Sequence, residues 1–246
     1  MFRKTIISFA YILSCIIIAL QLSWYVLGQI NFSYGFWHDH TSIAWAIESY
    51  ASANRQGHTG FEKTTKAERE RVFAEIAKSI RSSGEGLAQI KYKVEGEADK
   101  ILLTEDEVFH LQDVATLIDL APFAVVPAWM ILIGLIIHSI KTYKPLPSVL
   151  LQLIGFTCVS AIIGIILAVV GPKAVFTQLH IWIFPANHKW FFYYQDSLMS
   201  TMMHAPVLFA GIAAEWAVLA SLFFVVLQLI IKQVVDRKIA RSGRLN

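Results

Sequence analysis

Four stretches of this sequence stay apolar for more than 20 residues each. That is the length a helix needs to cross the roughly 30 Å hydrocarbon core of a bilayer. They fall at about residues 5–27, 117–140, 149–170 and 206–231. Inside lipid every backbone N–H and C=O must be paired within its own segment, so stretches of this kind can only be helices. The expected fold class is a membrane all-α protein with four transmembrane helices, a single integral membrane domain over residues 1–246. Composition agrees, since 56% of residues are hydrophobic and 16% charged, against about 25% charged in soluble domains. An ordinary soluble domain and a disordered chain are both excluded. A net charge of +3, with many Lys and Arg residues flanking the apolar stretches, leaves no basic footprint for nucleic acid.

Four spans put both termini on one side. Arg3 and Lys4 precede the first span, Lys141 and Lys144 fill the turn between the second and third, and Lys232, Arg237, Lys238, Arg241 and Arg244 follow the fourth. These nine of the 21 basic residues share one side, which the positive-inside rule makes cytoplasmic. The segments 28–116 and 171–205 are then extracytoplasmic. Ile12-Leu13-Ser14-Cys15 has the look of a lipoprotein signal, but the apolar run continues through Ile16–Leu20, so the first span is expected to be an uncleaved anchor. Cys15 and Cys158 lie in spans with no Cys-x-x-Cys spacing and read as packing residues.

The first outer segment reads as mixed helix and short strand. Tyr34, Phe36, Trp37, Trp45 and Tyr50 suggest an interfacial aromatic region. Val72, Phe73, Ile76 and Ile80 recur at helical spacing within 65–82, with Gly84 as a stop. Ile90, Tyr92 and Val94 alternate with charges as a strand does, and Gly96 would turn the chain back towards Ile101.

Two stretches carry chemistry. Thr104-Glu105-Asp106-Glu107 is a capping box, and the helix it opens places Glu107, His110 and Asp113 on one face. An imidazole flanked by carboxylates suits proton transfer, although spacing alone favours a plain solvated face. In the second outer segment Phe176, His180 and Phe184 recur every four residues and Asn187 follows, an imidazole and an amide within an aromatic stripe; an interfacial belt helix with an incidental His is the alternative. Should the two segments converge, His110 and His180 would meet near the lipid headgroups, which points to acyl chemistry.

The stretch Glu107-Val108-Phe109-His110-Leu111-Gln112-Asp113-Val114 resembles the His-x-x-Asp-Val signature of the lipoprotein intramolecular transacylases, small four-span bacterial membrane proteins. Phe176 to Trp190, with His180, Phe184, Asn187 and Trp190 at matching offsets, resembles that family's second signature, and Asp196-Ser197-Leu198-Met199 its acidic block. The chain departs from the family at Met202-Met203-His204-Ala205-Pro206, where an aromatic-Pro stretch is usual. The resemblance implies an enzyme of the bacterial inner membrane acting on diacylglyceryl lipoproteins. It would move an acyl chain from the sn-2 glycerol oxygen to the α-amine of the N-terminal cysteine. On that reading His110 is the general base, oriented by Asp113 or Glu107. His180 is its partner at the oxyanion or leaving oxygen, a role the two could exchange, and Asn187 donates to the oxyanion. Phe176, Phe184, Trp190 and Asp196 would line the substrate site. No metal and no cofactor is needed, the surrounding partner is membrane lipid, and the protein is expected to be a monomer.

Other polar residues leave alternatives. His38-Asp39-His40 could ligate a metal, which would favour a membrane metallohydrolase. The 65–82 helix could bind a partner in a non-enzymatic membrane subunit. Glu215, inside the fourth span, could serve the site or bond another helix, and His188 and His204 read as incidental.

Overall fold

The computed structural model describes residues 2–242, and side chains from residue 5 to residue 241. The basic residues Arg3, Lys4 and Arg244, used above for orientation, lie outside the described side chains. The helices are α1 (Phe2–Gln29), α2 (Tyr34–His40), α3 (Ile43–Tyr50), α4 (Lys66–Ile80), α5 (Glu105–Asp119), α6 (Ala121–Thr142), α7 (Val149–Val170), α8 (Pro172–Ile183), α9 (Leu198–Met203) and α10 (Val207–Ser242). Two short strands, β1 (Lys91–Tyr92) and β2 (Lys100–Ile101), pair antiparallel with Lys91 opposite Ile101.

Four apolar helical stretches are long enough to cross a membrane, and this is an integral membrane protein. The second runs unbroken in hydropathy from Glu105 to Thr142, but 38 residues of helix would measure about 57 Å, nearly twice the hydrocarbon core. The helix is interrupted at Leu120. α6 alone has 22 residues, about 33 Å of helix, and is the spanning part. α5 carries Glu105, Asp106, Glu107, His110, Asp113 and Asp119 and lies outside the span. The most apolar window of α7 has no residue buried inside the protein, so lipid must cover it.

The chain divides into two compact units. One comprises Met1–Val26, Ala121–Pro172 and Glu215–Asn246, and the other Leu27–Leu120 and Lys173–Ala214. In the first, Tyr11, Cys15 and Ile18 of α1, Ala128 and Leu132 of α6, and Phe224 and Ile231 of α10 form one buried cluster. Phe156 of α7 stacks on Phe224 at 4.5 Å between ring centroids. α7 approaches α1 closely at Gly155, where an added Cβ would stand 2.8 Å from Ile12 Cδ1. The indole N–H of Trp216 donates to the Leu20 carbonyl at 2.9 Å.

The second unit joins both outer segments. α4 begins where the Thr65 hydroxyl accepts from the Glu68 N–H, and buries Val72, Phe73 and Ile76. Each such apolar side chain contributes about 1.5–3 kcal/mol of burial. The chain leaves α4 through Gly84 at φ +85, where any Cβ would collide with the Gln112 amide of α5. One expectation fails at Tyr34. It is not an interfacial ring but is fully buried, stacked on Phe73 at 4.4 Å, with its hydroxyl donating to the Met202 carbonyl at 2.8 Å. A tyrosine that finds an internal acceptor no longer needs the wet interface. Phe36 and Trp45, by contrast, remain exposed.

Candidate active site

α5 opens as its sequence requires. The Thr104 hydroxyl accepts from the Glu107 N–H while the Glu107 carboxyl accepts from the Thr104 N–H, a complete capping box. The Glu107 carboxyl nevertheless bonds no imidazole. The residue is 0% exposed. Its Oε2 is taken by the Thr104 N–H and hydroxyl, and its Oε1 by the Ser197 hydroxyl at 2.5 Å and the Met199 N–H at 3.3 Å. Through these bonds, which occupy both of its oxygens, Glu107 ties α5 to the start of α9.

His110 sits one turn further along α5, half-buried. α8 begins at Pro172, directly after Gly171 closes α7 at φ +88. Its i, i+4 rows bring Phe176, His180 and Phe184 together, and Pro185 then stops the helix. The imidazoles of His110 and His180 face each other with ring centroids 6.2 Å apart. Aromatic rings enclose them. Phe184 lies 5.0 Å from His110 and 5.2 Å from His180. Phe192 lies 6.0 Å from His110. Phe176 and Trp190 lie 3.9 and 5.0 Å from His180.

These walls set the protonation. Burial, reinforced by the neighbouring His180 and opposed by Asp113, pushes His110 down to about 4. Burial also lowers His180, against the hydrogen bond from its own ring to Phe176. Both rings are therefore neutral near pH 7. The His180 Nδ1–H donates to the Phe176 carbonyl at 2.8 Å. Since a carbonyl can only accept, this leaves Nε2 with the free lone pair. The Nδ1 of His110 is buried with no hydrogen-bond partner.

The remaining expected residues divide. Asp113 does not bond His110; its Oδ2 accepts from His188 Nδ1 at 2.7 Å. Asn187, one residue earlier in the same turn, is exposed. Asp196 accepts two 2.7 Å bonds from Arg55. His188 was missed. A turn between a helix and an extended run has no fixed period, so spacing cannot say which of Asn187 and His188 points inward. Lys189 adds a 3.0 Å bond to Asp106 and lies 5.0 Å over the Phe192 ring, so the strap from Pro185 to Phe192 is tied to α5 at two points. His204 bonds the Ser42 hydroxyl at 2.8 Å. His38 shares its two nitrogens between Asp39 and Arg69. Among the described residues no three His, Cys, Asp or Glu side chains are grouped to hold a metal ion.

No curated protein sequence matches the chain. Two solved structures, both of the membrane integral lipoprotein intramolecular transacylase Lit from Bacillus cereus, share the fold. One, carrying a histidine-to-arginine mutation, superposes with a TM-score of 0.64 at 13% identity, covering 99% of this chain and 95% of that one. The other gives 0.60 at 14% identity, covering 99% and 96%. A family model described as lipoprotein intramolecular transacylase Lit matches residues 5–205, most of the length and both histidine-bearing segments, and the chain belongs to that family.

Proposed function

We propose that this acyltransferase moves one acyl chain from the sn-2 glycerol oxygen of a diacylglyceryl lipoprotein to the α-amine of its N-terminal cysteine, using His180 and His110. The observation that carries this is the facing pair of neutral imidazoles, one of them held in a single tautomer. Ester and amine belong to one substrate molecule, which removes much of the entropic barrier. The free lone pair on His180 Nε2 favours exchanging the roles read from the sequence. His180 takes the proton from the amine nitrogen as it bonds to the ester carbonyl carbon. It returns that proton to the glycerol oxygen as the C–O bond breaks, leaving an amide and a free hydroxyl. If the amine arrives as ammonium, its extra proton goes to solvent. Neutral His110 acts as a hydrogen-bond donor to the carbonyl oxygen as charge develops there. Burial holds it uncharged, so it donates as imidazole rather than imidazolium. Phe176, Phe184, Trp190 and Phe192 keep water from competing with the amine.

The test is whether transfer stays within one molecule. Purified enzyme given a diacylglyceryl lipopeptide, without phospholipid, should yield an N-acyl, lyso-glyceryl product of unchanged mass. A product heavier by one acyl chain, or one that requires phospholipid, would mean transfer between molecules.

We infer from the Lys and Arg distribution that both termini are cytoplasmic and the imidazoles face the outer leaflet. A reporter fused after Asn246 should read cytoplasmic, and one inserted at Gly57, an exposed turn glycine with nothing within 4 Å, should read extracytoplasmic. The reverse pattern would remove the outer leaflet as the place of reaction.

A further inference from the structure

We propose that Asp113 is the docking point for the substrate's α-ammonium group, and that His188 holds the place until the substrate displaces it. The proposal deepens the transacylase reading and rests on it. In this unit the carboxylates near the site are otherwise committed. Glu107 accepts four bonds from Thr104, Ser197 and Met199. Asp106 pairs with Lys189 and Asp196 with Arg55. Asp113 alone among these is paired with an imidazole, at 2.7 Å, rather than with a permanent cation. The pair is reachable, because the side chains of His188 and Asp113 are 35% and 22% exposed. An imidazole offers the carboxylate one N–H from this nitrogen. An ammonium offers three donors and a full charge, and charge-assisted bonds are the stronger ones. The exchange is therefore favourable when the substrate arrives and reverses when it leaves.

Position supports the same reading. Asp113 follows His110 by three residues on α5, which places the two side chains as helix-surface neighbours, and its charge is felt at His110. A nitrogen docked on Asp113 stands beside the gap between the two imidazoles, where the amine must attack. Acylation turns the ammonium into an uncharged amide. The product then loses its anchor while the substrate keeps it, so one carboxylate both selects a free amine and releases the N-acyl lipoprotein.

The test uses the full-length protein in phosphatidylcholine nanodiscs and two unreactive probes. One is a lipopeptide whose N-terminal cysteine carries a glyceryl diether, so that no ester is present to transfer. The other is its desamino counterpart. The wild type should bind the amine probe at least tenfold more tightly, the order expected of one charge-assisted bond of roughly 1.5–3 kcal/mol. Asp113→Asn should bring the two affinities together, and His188→Gln should keep the preference. Equal affinity in the wild type, a comparison that needs no variant, would overturn the subsite, as would a preference that survives in Asp113→Asn. Turnover of the corresponding diester lipopeptide is scored separately by mass spectrometry. Lack of N-acyl product there counts against the transacylase reading, whereas lack of amine preference counts against the subsite.

Discussion

Replacing either imidazole should lower N-acylation by about a hundredfold to ten-thousandfold, and replacing both should cost little beyond the larger single loss. One donor to a developing oxyanion is worth roughly 10²–10³ in rate, and one positioned acid–base roughly 10²–10⁴. The rings are 6.2 Å apart and serve one transition state, so their effects should not add. His110→Ala, His180→Ala and the double variant, assayed by mass spectrometry of the lipopeptide product, measure this. Multiplying losses in the double variant would show two independent contributions and break the shared-step mechanism. The burial-lowered protonation of both rings adds an expectation for acid pH. The base must be neutral to act, so the rings should add no loss at the ordinary imidazole value of about 6.5; below it activity should fall only in step with protonation of the substrate amine, until the lowered values of the rings are reached. For stability the sign is the same, since an unfolded chain binds protons at pH values where the folded rings do not. Folding is therefore favoured above about pH 6.5 and weakened as pH falls towards 4.

Glu107→Ala should lower stability by about 2–5 kcal/mol, because it strands the buried Ser197 hydroxyl and the Met199 N–H at roughly 1–3 kcal/mol each and removes half of the capping box. For a chain of this length the melting temperature should fall by roughly 5–15 °C. Glu107→Gln keeps one acceptor oxygen but sets an NH2 donor against the remaining donors, and should recover about half of the loss. The pair of variants separates architecture from chemistry. If Glu107→Gln melts like the wild type yet makes no N-acyl product, the carboxyl takes part in the reaction and is not a tie. If both variants melt normally and remain active, neither role holds.

Spacing was enough to place the four spans, α4 and α5, and the helical row that carries His180, though not α2, α3 or α9. A 20-residue apolar run has one structural solution in lipid, so the four spans follow from length and hydropathy. The capping box at Thr104 and Glu107 is a local arrangement of four residues and needs nothing distant, and the structure has it complete. The i, i+4 row of Phe176, His180 and Phe184 follows from helical pitch in the same way. The β1–β2 hairpin and the α4 helix were likewise written in alternation and in 3.6-residue period.

What each polar side chain touches was not local. From spacing, Glu107, His110 and Asp113 were one polar face with one shared role. The fold gave them three fates, because their partners arrive from 70 or more residues away: Ser197 and Met199 at Glu107, His180 at His110, and His188 at Asp113. Tyr34 looked like an interfacial ring until Phe73 and the Met202 carbonyl supplied an interior for it. Nothing in the Asp196 block announced its partner Arg55. Periodicity states which residues share a face of their own helix and carries no information about the segment that packs on that face. The tautomer of His180, fixed by the Phe176 carbonyl one turn away, is the exception that lies within a single helix, and even there the neutral state that makes it useful depends on burial that the rest of the chain completes.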